Sequence, residues 1–131
     1  MNKLFLILIF SSLIFIAGCT QTKQEPILKP NVQPQDTIEI TATGFTPAKL
    51  TINSGKTITF INKDSKSHWP ASGIHPTHTL YPESGGCIGS KFDVCKGLSE
   101  GETFSFTFNH KGKWPYHDHL NPSLKGSIEV I

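Results

Sequence analysis

Residues 103–108 read Thr103-Phe104-Ser105-Phe106-Thr107-Phe108. Every second residue is phenylalanine, and each residue between carries a hydroxyl. Successive side chains of a strand point to opposite faces, so this hexapeptide puts three Phe on one face and three hydroxyls on the other. That is the pattern of a strand with one buried face. The same period of two recurs outward from it: in Thr37-Ile38-Glu39-Ile40-Thr41, in Leu50-Thr51-Ile52, in Thr57-Ile58-Thr59-Phe60-Ile61-Asn62 after a Ser54-Gly55 turn, and in Ser127-Ile128-Glu129-Val130-Ile131. No window of ten or more residues offers an amphipathic helix. Short strands separated by Gly and Pro turns predict an all-β antiparallel sandwich.

The chain has 131 residues, which suits one ordinary domain. Its 12 basic residues nearly balance 10 acidic ones, and every basic residue is lysine. Nucleic-acid binders carry a basic excess and use arginine for bidentate contacts, so no nucleic-acid partner is expected.

Residues 1–18 join a short basic start at Lys3 to an apolar run from Leu4 to Ile16. The run is short for a membrane span and fits the apolar core of an export signal. The sequence Ile16-Ala17-Gly18-Cys19 resembles the lipobox of bacterial and some archaeal lipoproteins. The resemblance implies cleavage before Cys19 and lipidation of its thiol; the alternative is an uncleaved anchor helix. Either way the remaining chain is expected outside the cytoplasm, attached to a membrane on its periplasmic or cell-surface side. Residues 19–35 hold three Pro and few large apolar side chains, and read as a tether. The folded domain is then residues 36–131.

Between Lys63 and Glu100 the chain is long, irregular and rich in Gly, Pro, Ser and His. Loops of this length in a compact domain are functional or disordered, and the Cys and His here argue for function. Cys87 and Cys95 would close a nine-residue ring, which the chain-entropy account values at roughly 2–3 kcal/mol. The competing reading makes one of them a thiolate metal ligand.

Five of the six histidines fall in short stretches: His68 in SHWP, His75 and His78 in HPTH, His117 and His119 in HDH. A lone His in a sandwich is usually a surface or hydrogen-bonded residue; clusters at predicted strand ends point to a metal, and imidazole favours Cu and Zn. His110 sits on a hairpin turn and is left outside the site. Trp69 and Trp114 flank the clusters and are expected to shield the site or pack in the core.

The domain resembles the cupredoxin family of plastocyanin, amicyanin and azurin-like proteins. Gly44 to Asp64 looks like the family's second and third strands, and Ser99 to His117 like the strand, turn and strand leading to its ligand loop. Leu124 to Ile131 looks like its last strand. The resemblance implies a Greek-key sandwich and places His68 at the first copper-ligand position. The ligand loop departs from the family. Tyr116 and Lys125-Gly126 align without a gap, but the Cys position holds Asp118, the second His position Asn121 and the Met position Leu124. A blue-copper centre needs its thiolate, so that centre is excluded at the usual place unless Cys87 or Cys95 swings in.

What remains is a nitrogen-rich site. His68 would join His117 or His119, with His75 or His78 from the long loop and Asp118 as oxygen ligand or hydrogen-bond acceptor. Such a set suits Cu(II) in a tetragonal, type 2 geometry, with Zn as competitor. Four functions follow from this reading: a lipid-anchored copper-handling protein, an electron carrier, a copper centre doing oxygen or superoxide chemistry, and a metal-free interaction module. The first is preferred, which makes the protein a binding protein and not an enzyme. Its expected partners are the membrane and a redox or copper-accepting protein.

Overall fold

The computed structural model describes residues 36–131. The export signal, Cys19 and the tether lie outside the described residues. Among the described residues there are eight strands and no helix: β1 (Thr37–Thr41), β2 (Gly44–Thr46), β3 (Lys49–Ile52), β4 (Lys56–Asn62), β5 (Pro70–Ser72), β6 (Thr103–Phe108), β7 (Gly112–Asp118) and β8 (Asn121–Val130). They form two four-stranded sheets, ordered β2-β1-β4-β6 and β3-β8-β7-β5.

The all-β sandwich is the one the alternation predicts, but the sheets are mixed. β1 runs parallel to β4, and β3 parallel to β8, while the other pairs are antiparallel. Alternation tells which face of a strand is buried and is silent on the direction of its neighbour.

In β6 the predicted faces are realised. Phe104, Phe106 and Phe108 pack against the core, with Phe108 fully buried. On the outer face Thr107 and Ser105 hydrogen-bond Thr57 and Thr59 of β4, at 2.7 and 2.9 Å. Cross-strand pairs of this kind hold register. Ile38, Ile40, Ile58, Phe60, Ile128 and Val130 fill the space between the sheets.

The segment between β5 and β6 has no strand of its own and yet supplies core. Its Tyr81, Phe92 and Leu98 are 1%, 0% and 1% exposed. The Phe92 ring lies 5.8 Å from Phe60 and 5.8 Å from Tyr116, one in each sheet. Burying such a side chain contributes about 1.5–3 kcal/mol, so the segment is anchored by the hydrophobic effect at three points. Cys87 and Cys95 form the expected disulfide within it.

Tyr116 crosses β8 directly over Gly126. A β-carbon at position 126 would stand 2.3 Å from the Tyr116 hydroxyl, so only glycine leaves room for the ring.

Candidate metal centre

At one end of the β3-β8-β7-β5 sheet, β5 pairs with the last residues of β7, with Ala71 opposite His117 and Pro70 opposite Asp118. His117 is the penultimate residue of β7, and the register slips between His117 and Asp118 as the chain turns into β8. His119 follows in that turn, its N–H donating to the Trp69 carbonyl at 2.7 Å. The long segment leaves β5 and brings His75 and His78 over the same spot.

The structure gathers four of the predicted residues, His75, His78, His117 and His119. One ring nitrogen from each lies within 4.8 Å of the others. Ring centroids from different segments are 4.8 to 5.3 Å apart: His75–His117, His117–His78, His78–His119 and His119–His75. Centroids from the same segment are farther apart, at 6.3 Å for His75–His78 and 6.5 Å for His117–His119. The rings therefore form a four-sided figure with each segment's pair at opposite corners. Its diagonals are shorter than a flat square with those sides would have, so the figure is puckered toward a tetrahedron.

The nitrogens face one another. His75 Nδ1 is 3.3 Å from His117 Nε2, and His119 Nδ1 is 3.0 Å from His78 Nε2. Burial first, then the neighbouring rings of His78, His75 and His119, push the His117 imidazole down to about 4. Burial followed by His78 and His75 lowers His119 as well. Uncharged imidazoles present lone pairs at neutral pH, which is the state a metal ion needs.

His78 is fully buried and donates from Nδ1 to Asp93 Oδ2 at 2.5 Å, which turns its Nε2 lone pair toward the other rings. The same carboxylate accepts from Trp69 Nε1 at 2.6 Å, and the Trp69 ring lies 4.5 Å from that of His119. Histidines that bind metals are commonly oriented by a carboxylate in this way. The donor set and its orientation therefore fit a metal ion.

His68 and Asp118 form a separate arrangement. His68 Nδ1 is 2.7 Å from Asp118 Oδ2, and its Nε2 is 3.1 Å from Asp64 Oδ2. Both ring nitrogens of His68 are thus engaged by carboxylates. The hydrogen bond from His68 holds the Asp64 carboxyl below its usual range. Asp118 also accepts from the backbone N–H groups of Trp69 and Leu120, at 2.8 and 3.0 Å. Of the remaining residues, His110 bonds Glu83, and Trp114 donates to the His110 carbonyl.

Asp93 and Asp64 carry no signal in the sequence. Each becomes visible only when the fold brings it against an imidazole.

The model of the cupredoxin-like domain matches residues 6–130 of the chain. The chain belongs to the cupredoxin-like family. Among solved structures, this cupredoxin-like protein is similar to the purple cupredoxin from Nitrosopumilus maritimus, with 23% identity and a TM-score of 0.59 over 72% of this chain and 98% of that one. It is also similar to a Cu(I) form of an amicyanin variant, with 17% identity and a TM-score of 0.58 over 76% of this chain and 84% of that one. A reduced amicyanin variant gives 18% identity and a TM-score of 0.58, over 75% and 83%. At these identities the likeness is one of fold. A search of the curated proteins finds no match.

Proposed function

We propose that this cupredoxin-like protein binds copper through His75, His78, His117 and His119, on the outer side of a cell membrane, and stores, buffers or delivers the ion. One observation carries the reading: imidazoles 41 and 42 residues apart in sequence meet with their nitrogens turned inward. Nitrogen donors without thiolate or thioether favour Cu(II) over other divalent first-row ions, with Zn the nearest competitor. The position where the family carries its thiolate holds Asp118, which is occupied by His68. Attachment through a lipid on Cys19 and an extracytoplasmic location rest on the N-terminal sequence.

The test is addition of Cu(II) to the purified full chain, followed by absorption and EPR spectra. A type 2 spectrum that disappears in the His78→Ala/His117→Ala double variant supports the site. An intense thiolate charge-transfer band in the visible overturns it.

Electron transfer is the second reading, and the puckering of the ring favours it. Rings disposed between square and tetrahedral would need less rearrangement if a bound copper changed oxidation state. Rapid self-exchange between the Cu(I) and Cu(II) forms would raise this reading above storage.

A further inference from the structure

One carboxylate joins the ring of imidazoles to the disulfide. The Asp93 side chain is fully buried. Its Oδ2 accepts from His78 Nδ1 at 2.5 Å, and its Oδ1 accepts from Trp69 Nε1 at 2.6 Å and from the Cys95 N–H at 2.9 Å. Asp93 therefore holds His78 directly and touches His119 through the Trp69 ring. Cys95 is bonded to Cys87, and the loop that this bond closes contains Asp93 itself.

The backbone marks the same connection. Among the described residues only two that are not glycine have positive φ: His78 at 53° and Cys95 at 65°. They are the two ends of the Asp93 bridge. A residue with a β-carbon avoids this left-handed region, and stays there when its surroundings over-determine it; such residues concentrate at functional sites. At Cys95 the disulfide supplies part of that constraint. Both cysteines are exposed, so a reductant can reach them.

We infer that the Cys87–Cys95 disulfide sets the metal affinity of the four-imidazole ring, with Asp93 as the positioning residue between them. The inference rests on the metal-binding reading above. With the disulfide intact, Cys95 keeps its left-handed turn and its N–H stays on Asp93, so the carboxylate is aimed at His78. A dithiol reductant transfers two electrons and two protons: the S–S bond breaks, Cys87 and Cys95 become thiols, and the dithiol closes to its own disulfide. Cys95 then relaxes from positive φ and withdraws its N–H. The carboxylate gains freedom to rotate, and His78 loses its fixed orientation. The change is local, because the flanking backbone remains bonded to β5, with Ser72 N–H on the Phe92 carbonyl at 2.8 Å and Val94 N–H on the Pro70 carbonyl at 3.2 Å. By linkage, a bound ion in turn makes the disulfide harder to reduce.

The experiment measures Cu(II) affinity of the full chain by competition with a chromophoric chelator, without reductant. It compares wild type, Cys87→Ser/Cys95→Ser, Asp93→Ala, Asp93→Asn and the triple variant Cys87→Ser/Cys95→Ser/Asp93→Ala. Asp93→Ala is expected to weaken binding by about 10–100-fold, the usual effect of removing a carboxylate behind a ligand histidine. Cys87→Ser/Cys95→Ser is expected to weaken it by about tenfold, and the triple variant to bind as Asp93→Ala does, since coupled sites are non-additive. The Cu(II) EPR parameters of the disulfide-free protein should shift in the same direction as those of Asp93→Asn, which a loss of folding alone would not produce. Circular dichroism verifies folding, and Cys87→Ala/Cys95→Ala replaces the serine pair if that pair fails to fold. If wild type binds no copper, the metal-binding reading falls. If wild type binds and the disulfide-free protein binds equally well, this inference alone falls. Additive losses in the triple variant also overturn it, because the disulfide would then act by a route other than Asp93.

Discussion

His68 Nδ1 lies 2.7 Å from Asp118 Oδ2, and both side chains are buried. In the family pattern these positions carry the first copper-ligand histidine and the thiolate. Here they bond each other. The pair fastens the start of β5 to the end of β7, beside the ring of imidazoles rather than within it. His68→Ala is therefore expected to keep Cu(II) binding within a few-fold of wild type, measured by chelator competition. Asp118→Ala strands the His68 ring and two backbone N–H groups, and is expected to cost about 3–5 kcal/mol in urea unfolding, the range for breaking a buried pair from one side.

His117→Ala removes an imidazole that faces both His78 and His75. Its effect on Cu(II) affinity should exceed the ~10–100-fold that changes behind a ligand produce. Chelator competition, with the EPR spectrum as a second readout, checks this ordering of His117 over Asp93 over His68.

The metal-free protein should lose stability as the pH falls. His117 is held down to about 4 in the folded chain, against 6.5 for an ordinary imidazole. Between those values the unfolded chain binds the proton and the folded chain does not. The stabilisation is therefore complete above about 6.5 and disappears progressively toward 4. Urea midpoints at neutral pH, at an intermediate value and near pH 4 should fall in that order, and His117→Gln should flatten the trend.

The Tyr116 hydroxyl is buried without a hydrogen-bond partner among the described residues, and burial raises its pKa. Tyr116→Phe removes an unsatisfied polar group, so thermal unfolding should show equal or greater stability. Gly126→Ala drives a β-carbon into the same ring and is expected to cost about 1–3 kcal/mol.

The proposed lipid on Cys19 would make membrane attachment depend on one thiol. Cys19→Ser is expected to move the protein from the membrane fraction to the soluble fraction in cell fractionation. An unchanged distribution would point to the uncleaved anchor helix.

Much of the fold was legible because alternation reports burial directly. The six residues from Thr103 and the five from Thr37 are strands with the inward faces expected. The parallel pairing of β1 with β4 was not legible, since direction leaves no mark in a single strand's pattern. Tyr81 and Phe92 were hidden for another reason: they lie in an irregular segment, where no period shows that a side chain is core. The histidine clusters announced a centre by density alone. Sorting His68 from the other four required knowing that Asp118 and Asp64 would take both of its ring nitrogens. Asp93 lies inside the Cys87–Cys95 ring, but nothing there marks it as the partner of an imidazole 15 residues earlier.

The four imidazoles are unequal in depth. His78 and His117 are buried, His119 is half-buried and His75 is exposed. An ion in this ring would have two back ligands and an open front. A partner taking such an ion would meet His75 first, then His119, with His78 and His117 behind them. Under the proposed delivery role, transfer would then begin at His75, the exposed corner of the ring.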